Sequence, residues 1–104
     1  MSSFDNVSIS RQANIYFDGQ VTSRTIQLAG GEKKSLGIML PGEYRFNTDS
    51  PELMEIQQGE VSVKLDGQQD WVDYGSGSSF EVPGASAFDI RVNSVTDYCC
   101  SYLD

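Results

Sequence analysis

Short apolar–polar alternations, broken by turn residues every few positions, set the tightest limit on what this chain can become. Glu60-Val-Ser-Val-Lys-Leu65 alternates cleanly, and Ser79-Phe-Glu-Val82 and Ala87-Phe-Asp-Ile-Arg-Val92 do the same. That two-residue period is the signature of a half-buried strand. Ile26-Gln-Leu28 is a shorter instance, while Leu36 to Leu40 and Leu53 to Ile56 are more continuously apolar, as in strands covered on both sides. Between these runs stand Asp18-Gly19, Gly30-Gly31, Pro41-Gly42, Ser50-Pro51, Asp66-Gly67, Gly75-Ser-Gly77 and Pro83-Gly84. Each pairs residue types that tolerate the backbone of a tight turn. Asp66-Gly67, just after Leu65, is the best hairpin signal. No window carries the 3.6-residue period of an amphipathic helix. The expectation is an all-β, single-domain barrel over residues 14–104, preceded by a polar N-terminal arm over 1–13 that is loose or adds an edge strand. A barrel is preferred to an open sandwich because it leaves few edges, and those that remain can pair in a dimer.

Composition narrows the function. With 104 residues the chain supports one core, and 38% apolar residues suit a folded domain rather than a disordered one. No apolar run approaches the ~20 residues of a membrane-spanning helix, and the start, Met1-Ser-Ser-Phe-Asp-Asn-Val7, lacks a secretory pattern. A cytoplasmic location without membrane contact is expected. The net charge is −8, and residues 37–104 hold three basic against twelve acidic groups. Such a surface repels a phosphate backbone, so no nucleic-acid partner is expected. Cys99 and Cys100 are adjacent, too close for ordinary disulfide geometry, and are read as free thiols. Histidine is absent altogether. Whatever the barrel does, imidazole is neither its metal ligand nor its base.

The order of several motifs resembles one family, the small bacterial pyrimidine/purine nucleoside phosphorylases of the cupin superfamily. The residues that carry the resemblance are Tyr16-Phe17-Asp18-Gly19, then Gly37-Ile-Met-Leu-Pro-Gly-Glu-Tyr-Arg-Phe-Asn-Thr48, then Pro51-Glu52-Leu53-Met54 with Gly59. Trp71, Phe80-Glu-Val-Pro83 and Tyr98-Cys-Cys-Ser-Tyr-Leu103 complete it. Glu52 with Gly59 and Gly77 with Pro83 also match the wider cupin spacing, whose usual His-x-His falls here on Arg45-Phe46-Asn47. The resemblance implies a cupin-type jelly roll of six to eight strands, a homodimer and a phosphorolytic pentosyltransferase. Its reaction would convert uridine, cytidine, thymidine, adenosine, guanosine, inosine or xanthosine to free base and (deoxy)ribose 1-phosphate. Inorganic phosphate is then a co-substrate, and no cofactor or metal is needed. Three alternatives stay open: a small-molecule-sensing cupin without catalysis, a divalent-metal cupin using Glu52, Asn47 and backbone oxygens, and a purely structural dimerisation module, which an interior packed solid with side chains would favour.

Phosphorolysis asks for an anion site, fixed ribose hydroxyls and a place to neutralise the leaving nitrogen. With only seven cationic side chains, Lys33 and Arg91 are the phosphate candidates; Lys34 is the weaker alternative, and alternation puts Arg45 opposite Tyr44 and Phe46, outside the barrel. Glu52 and Glu43 are the catalytic candidates. Glu52 is favoured because its cupin-equivalent position points inward, where burial would raise its pKa. Tyr44, Phe46, Phe80, Phe88 and Tyr98 are candidate nucleoside-binding walls, since every base presents a stackable face. Trp71 is read as packing at the barrel rim.

Overall fold

A computed structural model describes residues 2–103 of the chain. Met1 and Asp104, the outermost residues of the expected arm and barrel, lie outside them. The short alternations become eleven strands: β1 (Ser8–Ile9), β2 (Asn14–Tyr16), β3 (Val21–Gln27), β4 (Lys33–Met39), β5 (Gly42–Thr48), β6 (Glu52–Gln58), β7 (Glu60–Leu65), β8 (Val72–Gly75), β9 (Ser78–Val82), β10 (Ser86–Val92) and β11 (Thr96–Tyr102). A single 3₁₀ turn over Phe17–Gly19 joins β2 to β3. The count exceeds the six to eight implied by resemblance because short edge strands are added. One of them, β1, comes from the N-terminal arm and pairs with β3 through Ser8↔Gln27 and Ile9↔Ile26. Among the described residues no helix is long and apolar enough to cross a membrane.

Two antiparallel sheets result. The larger runs β1-β3-β4-β11-β6-β9, with β2 also on β3, and the smaller runs β5-β10-β7-β8. Connections such as Pro41-Gly42 and Gly59 carry the chain from one sheet to the other, so that the two pack face to face around one core. Gly59 takes a φ of 106°, and a Cβ there would strike the backbone and hydroxyl of Thr96. Only glycine turns that corner without strain.

Register decides which residues meet inside. On the small sheet, Tyr44, Ile90 and Val63 form one inward row, and Phe46, Phe88 and Leu65 the next. On the large sheet the inward rows are Gly37–Tyr98–Ile56, Ser35–Cys100–Met54–Phe80 and Tyr102–Glu52–Val82. The apolar members of these rows belong to or pack against one core cluster, with Ile56, Val82 and Ile90 almost fully enclosed. The more continuous runs are not covered on both sides as expected: Ile38 and Leu40 remain 37% exposed in this single chain.

Candidate functional site

Where the inward rows stop being apolar, the barrel is not filled. A cavity of about 130 Å³ opens there. With about 30 Å³ as a water's share of liquid volume, it has room for roughly four waters. Its two walls differ in chemistry. The large sheet supplies Glu52, Tyr98, Cys100, Tyr102, Ser23 and Ser35, and the small sheet faces them with Phe46 and Phe88. Tyr16, Asn47 and the thioethers of Met39 and Met54 complete the lining. Phe46 and Phe88 stack with ring centroids 5.6 Å apart and planes 28° from parallel.

The polar wall is held by its own hydrogen bonds. Ser35 Oγ and Tyr102 Oη lie 2.7 Å apart. Asn14 Nδ2 donates to Ser23 Oγ and to Thr25 Oγ1, each at 3.2 Å. Tyr98 reaches across the missing side chain of Gly37. A Cβ at that position would lie 2.8 Å from Tyr98 Oη and would overlap the carbonyl oxygen of Thr22. Glycine is required there by space rather than by dihedral angle.

Burial without a cation moves every acid on this wall the same way. Burial pushes the Glu52 carboxyl above its ordinary value, and Asp49 adds to the rise, while a hydrogen bond with the Cys100 thiol partly offsets it. Removal from water likewise raises the Tyr98 phenol and the Cys100 thiol, the latter also facing the Glu52 charge. Burial pushes Tyr102 up to about 12. The neutral forms are favoured because low dielectric disfavours charge and no positive partner compensates. The wall therefore presents neutral hydrogen-bond donors together with one carboxyl that can carry a proton.

The sequence candidates divide by the face they occupy. Glu52, Phe46, Phe88 and Tyr98 meet in the cavity. Tyr44 and Phe80 do not line it. Tyr44 is buried in the core and donates its hydroxyl to Leu40 O at 2.6 Å, while Phe80 packs between Tyr74 and Phe88. Glu43 and Arg91 are cross-strand partners on the outer face of the small sheet, 3.7 Å apart. Their side chains are 59% and 51% exposed there, away from the cavity. Alternation explains this: Phe88 and Ile90 point in, so Arg91 points out, and Tyr44 inward puts Glu43 outward. Arg45 is on the same outer face, bonded to Asp66 and Asp89. Trp71 is also there rather than at the rim, with Arg91 3.9 Å from its ring centroid.

Lys33 has inward parity but lies at the end of β4, where it lines a broad open depression with Thr25, Gly30, Gly31, Glu32 and Ser50. Tyr102 lines both this depression and the cavity. Lys34 points the other way and donates to Ser101 Oγ at 2.7 Å. For a metal, Glu52 and Asn47 share the cavity, but among the described residues no three His, Cys, Asp or Glu side chains gather as a ligand set. Sequence reasoning missed Ser35, Cys100, Tyr102 and Tyr16. Cys100 and Tyr102 share the parity of Tyr98, already a wall candidate, and that signal was available; the inward place of Ser35 follows only from its pairing with Cys100.

Comparison with known proteins shows the family and the fold. The family model described as Pyrimidine/purine nucleoside phosphorylase matches residues 11–102. A Geobacter sulfurreducens protein named pyrimidine/purine nucleoside phosphorylase is 56% identical over 103 residues, covering 99% of each chain. A crystal structure of a protein of unknown function from Acinetobacter sp. ADP1 is similar, with a TM-score of 0.95 at 40% identity, over 97% of this chain and 98% of that one. An RmlC-like cupin from Shewanella frigidimarina aligns with a TM-score of 0.69 at 14% identity, over 97% and 86%. At that identity the likeness concerns the fold alone, and the fold is the cupin type.

Proposed function

The chain belongs to the pyrimidine/purine nucleoside phosphorylase family, and from that membership we propose that it catalyses phosphorolysis of purine and pyrimidine nucleosides. The products are the free base and (deoxy)ribose 1-phosphate, with inorganic phosphate as co-substrate. The observation that most supports this reading is the opposition of walls in one cavity. Stacked Phe46 and Phe88 face a carboxyl with raised pKa and a row of neutral hydroxyls. A nucleoside has the matching halves, a flat aromatic base and a hydroxylated sugar.

In the reaction, a phosphate oxygen bonds to the anomeric carbon as the bond from that carbon to the base nitrogen breaks. The bonding pair leaves with the base, and the sugar passes through an oxocarbenium-like state. Protonated Glu52 is assigned the proton delivered to the departing base. Ser35 and Tyr102 hold the ribose hydroxyls, and Lys33 draws phosphate to the depression that Tyr102 shares with the cavity. Glu43 and Arg91, on the outer face, have no part in it.

The test is incubation with uridine or adenosine, with and without phosphate. Release of free base only when phosphate is present is expected; no release at high protein concentration overturns the reading in favour of a binding cupin. Lys33→Ala should raise the KM for phosphate with little change in the KM for nucleoside. A homodimer belongs to the same proposal. Ile15 and Ile38 flank Thr22 in one outward row of the large sheet and leave apolar surface exposed. Light scattering should return twice the chain mass of 11.4 kDa.

A further inference from the structure

The turn that carries Tyr16 and Phe17 is built as a simple connection need not be. Phe17, Asp18 and Gly19 follow one another with φ of 51°, 54° and 91°, all in the left-handed region. Glycine enters that region freely and aspartate tolerates it, but a phenylalanine crowds its Cβ against the following carbonyl. A bulky residue stays there only when its surroundings hold it, and such positions gather at ligand sites. What holds it here is aromatic. The Phe17 ring lies 5.0 Å from Tyr44 and 5.4 Å from Phe46, and Tyr16 stands edge-on to Phe46 at 6.2 Å.

Yet the strain does not serve burial. Tyr16 and Phe17 remain 42% and 44% exposed, while Tyr16 also lines the cavity whose inner aromatic wall is Phe46 and Phe88. A strained turn thus sets one half-open ring, Tyr16, on the lining of a pocket with an aromatic floor, and a second, Phe17, beside it against Phe46 of that floor. We propose that Tyr16 and Phe17 form the outer stacking platform for the heterocyclic base, directing the sugar toward the Glu52 wall. This inference rests on the nucleoside reading above and adds the residues that would set base tolerance. Stacking reads the face of a ring and not its edge, so one platform accepts purines and pyrimidines alike.

The test is calorimetric titration of adenosine, uridine and ribose 1-phosphate without phosphate, so that no turnover occurs. Phe17→Gly removes the ring while suiting the left-handed backbone. It should weaken both nucleosides by about tenfold or more, the effect of one lost base–aromatic stack, and leave ribose 1-phosphate, which has no base, unchanged. Phe17→Tyr should restore binding of both nucleosides. Unchanged nucleoside affinity in Phe17→Gly, or equal weakening of ribose 1-phosphate, overturns the platform. If Phe17→Gly fails to fold, Tyr16→Leu leaves the strained backbone alone and carries the same expectations. The two readings fail separately. A parent protein that binds nucleosides but releases no base with phosphate sinks the phosphorylase reading and leaves the platform standing. A parent that binds neither nucleoside sinks the platform.

Discussion

Glu52 on the cavity wall and Glu43 on the outside of the small sheet are the same side chain in opposite surroundings. Glu43 is more than half exposed and has Arg91 across the strand at 3.7 Å. Glu52 is half-buried beside a thiol, with no cation to compensate, and burial raises its pKa. Ion pairs of the first kind contribute little, because water screens them and long side chains lose freedom to make them. The second kind costs stability whenever it ionises, and that cost is what makes a carboxyl useful as a proton carrier. The comparison teaches that face, rather than residue type, separates a surface charge from a working acid.

The sharpest way to break this contrast is to neutralise each carboxyl in turn. Glu52→Gln should lower the rate of phosphorolysis by about 10²-fold or more, the usual reach of a positioned acid, while Glu43→Gln leaves it close to the parent's. Equal losses at the two sites would mean the outer face takes part in the chemistry. Next in size is Gly37→Ala. The new methyl collides with the Thr22 carbonyl and the Tyr98 hydroxyl, so urea denaturation should show a loss of about 1–3 kcal/mol, as for an overpacked interior. Nucleoside binding should weaken with it, as Tyr98 is pushed into the cavity.

A third prediction concerns pH. Because the folded-state pKa of Glu52 is raised, its contribution to stability is fully present below the ordinary carboxylate value. It is lost as pH rises through the raised folded value. Thermal midpoints of the parent and Glu52→Gln should therefore agree near pH 4, with the variant gaining on the parent toward pH 8. Curves that stay parallel would show that Glu52 is not desolvated. Activity of the parent should fall over the same rise, as the proton is lost. The smallest effect belongs to the outer face. Arg91→Ala removes the pair with Glu43 and the contact with Trp71, and should cost below about 1 kcal/mol in denaturant. The KM for phosphate should not move; a rise would bring Arg91 back as an anion ligand.

Much of the fold was legible in the chain. Glu60–Leu65 is a strand over its whole predicted length, and the strands expected near Ser79–Val82 and Ala87–Val92 extend by one residue at their starts. Alternation and turn residues are local properties, so they survive into the structure unchanged. The site was legible in part. The rule that placed Arg45 outside the barrel also places Glu43 and Arg91 outside, and with Tyr98 taken as a wall the same rule brings in Cys100 and Tyr102. Tyr44 and Phe80 show the remaining gap. Both point inward, but parity does not tell a buried core ring from one that faces open space, since that depends on what the opposite sheet brings to the same level.

By itself, the sequence determined the all-β architecture, the absence of imidazole chemistry and, through ordered motifs, the family. These follow from two-residue periodicity, turn chemistry and composition, which need no long-range contact to be read. Only the tertiary structure decided that Glu52 faces Phe46 and Phe88 across an unfilled space. It alone showed that Lys33 lines a depression sharing Tyr102 with the cavity while Arg91 lies on the outer face, and that Phe17 is held in a backbone it would not choose. Each of these depends on how two sheets, paired through residues far apart in the chain, are stacked. That stacking sets burial, and burial sets which acids hold their protons.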